Sequence, residues 1–311
     1  MNARTGPVVL ALGLAAAAVA GCGRSGGGDD AAGGRLRVFV TVQPQAYLLE
    51  RIGGPHVAVE VLAGAGQDPH TFEPTPRQVL ALSKARLFFH VGMPLETRLV
   101  EKISGSRGGL TVVDMARGIQ MRTATEPCIH QGEADDHEQC DHEEHNHAAE
   151  PDPHVWLSPP LAKILAANAA EALAQADPEH AADFEKNLAA LCEELDALHE
   201  KLAESLEPHR GQSFYVFHPA LGYFGETYGL TQRAVEFEGK RPSPRQLRAL
   251  IKRAKAERVR IVFVQPQFDR RTAEVVAELI GGATVPIDPL AKDVLKNLDA
   301  AAREIRRSLS S

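Results

Sequence analysis

Asp152-Pro153-His154-Val155-Trp156-Leu157-Ser158-Pro159 divides the chain. Before it, strand-like and helix-like runs alternate and end in an acidic, histidine-crowded segment. After it, two helices follow one another before the alternation resumes. The prolines restrict the local backbone, so His154 sits in a stiff, non-helical stretch, and Ser158-Pro159 supplies an N-cap and a first helical residue. A histidine held this way is pre-positioned. The short acidic motif recurs upstream as Asp68-Pro69-His70, and Phe217-His218-Pro219 lies in the second half.

Working outward on the upstream side, Leu36 to Val42 is apolar and β-branched, and His56 to Leu62 alternates through Val57, Val59 and Val61, the period-two sign of a strand. Leu87 to Val91 and Leu110 to Asp114 are further strands. Helices are expected from Gln45 to Ile52, from Thr75-Pro76 to Lys84 and from Pro94 to Ser104. Downstream, one helix runs from Ser158 to Ala176, and Asp177-Pro178 starts a second that extends to Leu206, roughly 43 Å long at 1.5 Å per residue. Strands then recur at Ser213 to Phe217, Thr231 to Phe237, Val259 to Val264 and Ala283 to Ile287. Between and after them come helices over Ala220 to Tyr228, Pro244 to Glu257, Arg270 to Ile280 and Lys292 to Leu309. The pattern predicts an α/β protein: two lobes of parallel-rich sheet covered by helices, joined by one long rigid α-helix. The boundaries are 36–177 for the first lobe, 178–208 for the linking helix and 209–311 for the second lobe.

Ligands on such sheets sit beyond the carboxyl ends of the strands. His70 follows the strand ending near Leu62, His218 follows Phe217 and Asp288 follows Ile287. With His154 they make a three-histidine, one-carboxylate set drawn from both halves. The composition suits zinc; manganese or ferrous iron, which prefer more oxygen ligands, are less favoured. Each residue also has a plain structural reading. A single histidine after a strand is commonly a hydrogen-bonded structural residue, and Asp288 before Pro289 is a turn former. Jointly the four favour a metal. His56, His90, His180, His199 and His209 read as structural.

The amino-terminal residues 1–21 read as a lipoprotein signal peptide: a thin positive start at Arg4, an apolar core from Val8 to Ala20, and Val19-Ala20-Gly21-Cys22, which resembles a lipoprotein cleavage site. Lipid on Cys22 would tether the mature protein outside the cytoplasmic membrane, through a flexible Gly- and Asp-rich stretch over 22–35. The formal charge of −7 is local. Residues 126–152 hold 10 acids and no Lys or Arg, and removing them turns −7 into +3. The remainder has no basic stripe interleaved with aromatics, which argues against nucleic acid as a partner. Within the loop over 126–150, His130, His137, His142, His145 and His147 are interleaved with acids and cannot build a packed core. They form a secondary metal-capturing segment or a solvated insertion. Cys128 and Cys140 flank it and either pair, worth roughly 3 kcal/mol, or act as soft metal ligands; the compartment favours the disulfide. Cys192 falls on the apolar stripe Phe184, Leu188, Leu191, Leu195, Leu198, Leu202 and reads as a small buried hydrophobe.

At these residues the chain resembles the metal-specific solute-binding lipoproteins of ABC importers, the group that takes up zinc or manganese. The likeness spans residues 36–311. It rests on Asp68-Pro69-His70 with Pro74-Thr75-Pro76, on the Asp152 to Pro159 stretch, on His218-Pro219-Ala220-Leu221-Gly222-Tyr223-Phe224 and on Ile287-Asp288-Pro289-Leu290. The resemblance implies two α/β lobes bridged by a long helix with one ion between them, held by His70, His154, His218 and Asp288. Histidine at 218 resembles the zinc-type members, where manganese-type members carry a carboxylate. The implied partners are an ABC permease with its cytoplasmic ATPase, and the membrane through Cys22; a monomer in the periplasm or on the cell surface is expected. Two other function classes are weighed. A zinc hydrolase needs an open water position and a general base, for which Asp68, Glu73 and Asp152 are candidates. A binder of organic solutes needs aromatic walls, and one Trp and four Tyr offer few.

Overall fold

Two runs of β-branched and aromatic residues, Leu36–Val40 (β1) and Leu87–His90 (β3), are buried on both faces, as central strands of a parallel sheet must be. The computed structural model that shows this describes Met1 and residues 34–104, 109–123, 151–236, 243–268 and 270–310. The expectations for Cys22 and the rest of 2–33, for Cys128 and Cys140, and for His130, His137, His142, His145 and His147 lie outside the described residues.

Around β1 and β3 the first lobe adds helix α1 (Gln43–Gly53), β2 (Val57–Val61), α2 (Pro76–Ser83), α3 (Pro94–Ser104) and β4 (Thr111–Asp114). The strands are all parallel, in the order β2-β1-β3-β4. Helix α2 begins where the sequence places it: the Thr75 hydroxyl accepts from the Gln78 amide at 3.3 Å, and the Gln78 side chain accepts from the Thr75 amide at 3.0 Å.

A 3₁₀ turn at Val155–Leu157 leads into α4 (Pro159–Ala176), and a second at Pro178–His180 precedes α5 (Ala181–Leu206). The long helix therefore starts at Ala181 rather than Pro178. Its 26 residues span about 39 Å. The second lobe repeats the first in topology. It contains β5 (Ser213–Val216), α6 (Gly222–Tyr228), β6 (Thr231–Ala234), α7 (Pro244–Ala256), β7 (Ile261–Val264), α8 (Arg270–Ile280), β8 (Ala283–Pro286) and α9 (Val294–Leu309). Its parallel strands run β6-β5-β7-β8.

The apolar core explains how the lobes are held together. A single buried cluster runs from Val38 and Phe89 through Trp156, Leu191 and Leu195 to Phe214, Phe263 and Ile305, and so includes both lobes and α5. Two smaller clusters fill the outer faces, one with Phe88, Leu82 and Leu99, the other with Tyr215, Val262, Leu250 and Val276. On α5, Phe184, Leu191, Leu195 and Leu202 are buried, with Leu188 and Leu198 partly so. Cys192 is only half-buried, because one residue past Leu191 is a turn of about 100° off the stripe. Among the described residues no helix is long and apolar enough to cross a membrane.

Candidate metal centre

The sheets present their carboxyl ends to one another, and the residues just beyond those ends differ in kind. In the first lobe the crevice between β1 and β3 is closed by a carboxylate: buried Glu96 accepts from the Thr41 hydroxyl at 2.5 Å and from the amides of Val91 and Met93 at 2.9 and 2.7 Å. Burial pushes its pKa up while these three donors pull it down. Its role is architectural, tying the start of α3 to the sheet.

In the second lobe the matching crevice, between β5 and β7, holds His218. Its backbone is clamped by Gln265: the His218 amide donates to Gln265 Oε1 at 3.1 Å, and Gln265 Nε2 donates to the His218 carbonyl at 2.8 Å. Its ring stacks on Phe268 at 4.7 Å and 22°, and its Nδ1 faces Glu236 at 3.3 Å. A carboxylate accepts only, so the Nδ1 proton points to Glu236 and Nε2 is left with a lone pair. His218 Nε2 is buried and has no protein partner.

His154 is oriented in the same way. Asp152 Oδ1 accepts from its amide at 3.0 Å and faces its Nδ1 at 2.7 Å, leaving the lone pair on Nε2. Asp152 is in turn held by Arg122 Nη1 at 3.6 Å. Arg122 also donates to Glu226 at 2.6 Å and lies 5.5 Å over the Tyr223 ring, while the Tyr223 hydroxyl donates to the Asp152 carbonyl at 2.9 Å. Gly222 makes this possible, since a Cβ there would fall 1.5 Å from Arg122 Nη1. Ser158 precedes α4 as expected, but its hydroxyl does not cap the helix. It pairs with Thr227 of α6 at 2.8 Å. The Trp156 indole donates to the Pro289 carbonyl at 2.8 Å, so one short stretch holds both lobes.

His70 comes from the loop between β2 and α2 and is the most exposed of the three; its amide donates to Asp68 Oδ1 at 2.9 Å. Its Nε2 is buried without a partner. The three rings lie 5.1 to 5.6 Å apart by centroid. One nitrogen from each falls within 4.8 Å of the others. Burial, then the charges of His154 and His218, lower the His70 pKa from its ordinary value to about 3. Burial also lowers that of His218. Buried, unpartnered imidazole lone pairs such as those of His70 and His218 are what a borderline-soft divalent cation takes, and Asp152 and Glu236, behind His154 and His218, supply compensating charge.

Asp288 does not join them. It follows β8 as the sequence predicts, but it is not in the group of mutually close donor atoms. Its Oδ1 accepts from Gln267 Nε2 at 2.7 Å and from the Leu290 amide at 3.0 Å, the second of which is the turn-forming role that Asp-Pro also suggests. The base candidates of the hydrolase reading are placed differently as well. Asp152 orients His154, Asp68 binds the amide of His70 and the hydroxyl of Thr71, and Glu73 is exposed. Of the histidines read as structural, His56 pairs with Asp183, His180 with Asp177 and His199 with Tyr228. Glu236, Gln265 and Gln267 were not singled out from sequence. Each lies within three residues of a strand end, so the rule that found His218 would have found them had it not been confined to His and Asp.

Two all-parallel lobes that bring three imidazoles together define a bilobal protein with a group of side chains that could hold one metal ion. The chain belongs to the family described as zinc-uptake complex component A, periplasmic (ZnuA), whose model matches residues 38–307. It is 30% identical over 333 residues to the high-affinity zinc uptake system protein ZnuA of Brucella abortus, covering 96% of each chain. It is 29% identical over 261 residues to the zinc-binding lipoprotein AdcA of Streptococcus pneumoniae, covering 83% of this chain and about half, 51%, of AdcA. Among solved structures, a zinc-bound deletion mutant of ZnuA superposes with a TM-score of 0.78 at 36% identity, over 89% of this chain and 99% of that one.

Proposed function

We propose that this protein captures zinc outside the cytoplasm and delivers it to an ABC-type importer. His70, His154 and His218 bind the ion through Nε2, two of them held in register by Asp152 and Glu236. The observation that carries this reading is the convergence of three imidazoles from both lobes, one donor atom of each within 4.8 Å of the others, with the Nε2 atoms of His70 and His218 buried and without a protein partner. The zinc-binding names of the relatives support it, as does the family's place in an uptake complex. The ion is cargo, so the protein binds without turning over a substrate. Asp68 and Asp152, the base candidates of the hydrolase reading, instead hold the His70 amide and the His154 ring, which supports that view. The loaded form docks on a permease served by a cytoplasmic ATPase. Residues 1–21 act as a leader, lipid on Cys22 anchors the mature monomer, and 22–35 is the tether. The loop over 126–150 is a lower-affinity metal reservoir.

Competitive titration of zinc and manganese against a chelator tests the site. The wild type is expected to bind one zinc tightly and manganese far more weakly, and His154→Ala to lose tight zinc binding. His218→Glu should narrow the gap between the metals. Tight zinc binding retained in His154→Ala overturns the site.

A further inference from the structure

His154 and His218 come from different lobes, yet their rings lie 5.3 Å apart. A metal site works only when its ligands are held within about 0.5 Å of their places, so something must register one lobe's histidine against the other's. Arg122 touches both sides. The Asp152 amide donates to its carbonyl at 2.8 Å, which sets it beside the carboxylate that aims His154. Opposite lies the start of α6, four residues beyond His218.

Three residues of α6 meet Arg122. The Tyr223 hydroxyl accepts from its amide at 2.9 Å while donating to the Asp152 carbonyl. Glu226 accepts from its Nε at 2.6 Å. Gly222 offers bare backbone: a Cβ there would stand 1.5 Å from Nη1, 2.7 Å from Cζ and 3.1 Å from Asp152 Oδ2. The guanidinium and the carboxylate are therefore seated together against a position that only glycine leaves open.

The Asp152 side chain is 4% exposed, and a buried carboxylate needs partners for both oxygens. Oδ1 is committed to His154, through its amide and Nδ1. Among the described residues the cation facing Oδ2 is Arg122, at 3.6 Å. The Ser158–Thr227 and Trp156–Pro289 bonds also join this segment to the second lobe, but at groups away from the carboxylate.

We propose that Arg122 is a positioning residue for the metal centre: it holds Asp152 from one side and α6 from the other, and so fixes His154 against His218. This rests on the reading of both histidines as ligands. Arg122 touches no ion and acts through Asp152.

The test is chelator-competition titration with zinc. Arg122→Leu is expected to weaken binding by about tenfold, less than loss of the Asp152 carboxylate itself. Placed in an Asp152→Asn background, the same change should cost less than about threefold, because its route to the ligand is already cut, whereas a loss of general packing would cost the same in both backgrounds. Gly222→Ala keeps Arg122 but fills its seat with a methyl group, and should weaken binding as Arg122→Leu does. Wild-type affinity in Arg122→Leu overturns the proposal, and so does a loss that is undiminished in the Asp152→Asn background. Should thermal melting show Arg122→Leu unfolded, Gly222→Ala decides, and wild-type affinity there overturns the proposal. Failure of the site itself is read separately, from tight zinc binding retained in His154→Ala.

Discussion

Asp152 and Glu236 stand behind two of the three imidazoles, and their geometry ranks them. Asp152 meets His154 Nδ1 at 2.7 Å and also accepts from its amide, whereas Glu236 stands 3.3 Å from His218 Nδ1, whose backbone and ring are already fixed by Gln265 and Phe268. Removing a carboxylate behind a ligating histidine typically lowers metal affinity 10–100-fold. Asp152→Asn is accordingly expected to weaken zinc binding by about 30-fold and Glu236→Gln by less than about tenfold, both read by chelator competition. Equal losses would show that Glu236 tightens onto His218 when the ion is bound. At this scale the sequence was partly legible. The strand-exit rule led to His70 and His218, which lie together with His154, because it depends only on where strands end. It also led to Asp288, whose Oδ1 accepts from Gln267 and from the Leu290 amide: strand ends say which edge a residue occupies, not which way its carboxylate turns. The side chain that donates to it, Gln267, lies 21 residues away on a neighbouring loop.

The helices and strands were more legible than the site, because their signals are local. Apolar spacing on α5 marks its buried face from Phe184 to Leu202, and Pro76, Pro94, Pro159 and Pro244 each open a helix. What local pattern did not give is the start of α5, where Pro178–His180 winds as a 3₁₀ turn and the His180 ring faces Asp177 at 2.7 Å. The helix earns its role through packing. Leu195 is fully buried in the cluster shared by both lobes, and Arg51–Glu194 and Lys201–Asp299 tie α5 to α1 and to α9. These ion pairs are exposed and worth about 0–1 kcal/mol each. Leu195→Ala is expected to lower stability by about 3 kcal/mol, measured by urea denaturation of the metal-free protein. A change below about 1 kcal/mol would mean that the lobes are not joined through this face.

For the molecule as a whole, burying neutral histidines links folding to protons. His70 is held near a pKa of about 3 in the fold by burial and by its histidine neighbours, against an ordinary 6.5. Between those values the unfolded chain binds the proton that the folded protein does not. Stability of the metal-free protein therefore falls as pH drops below 6.5, by about 1.4 kcal/mol per pH unit for each such histidine, and levels off near pH 3. His218 shifts in the same direction and adds to the slope. Denaturation midpoints at pH 7 and pH 5 check this, and His70→Asn should flatten the dependence. A midpoint independent of pH would contradict the burial of neutral rings.

Thr123 and Pro151 pair across an antiparallel bridge, and the Asp152 amide donates to the Arg122 carbonyl at 2.8 Å, so positions 123 and 151 lie side by side. Such a narrow neck is a splice point. Whatever is threaded between 123 and 151, whether shortened, exchanged or replaced by a fluorescent reporter, starts and finishes beside the carboxylate that aims His154, which makes this position a natural seat for a genetically encoded zinc sensor.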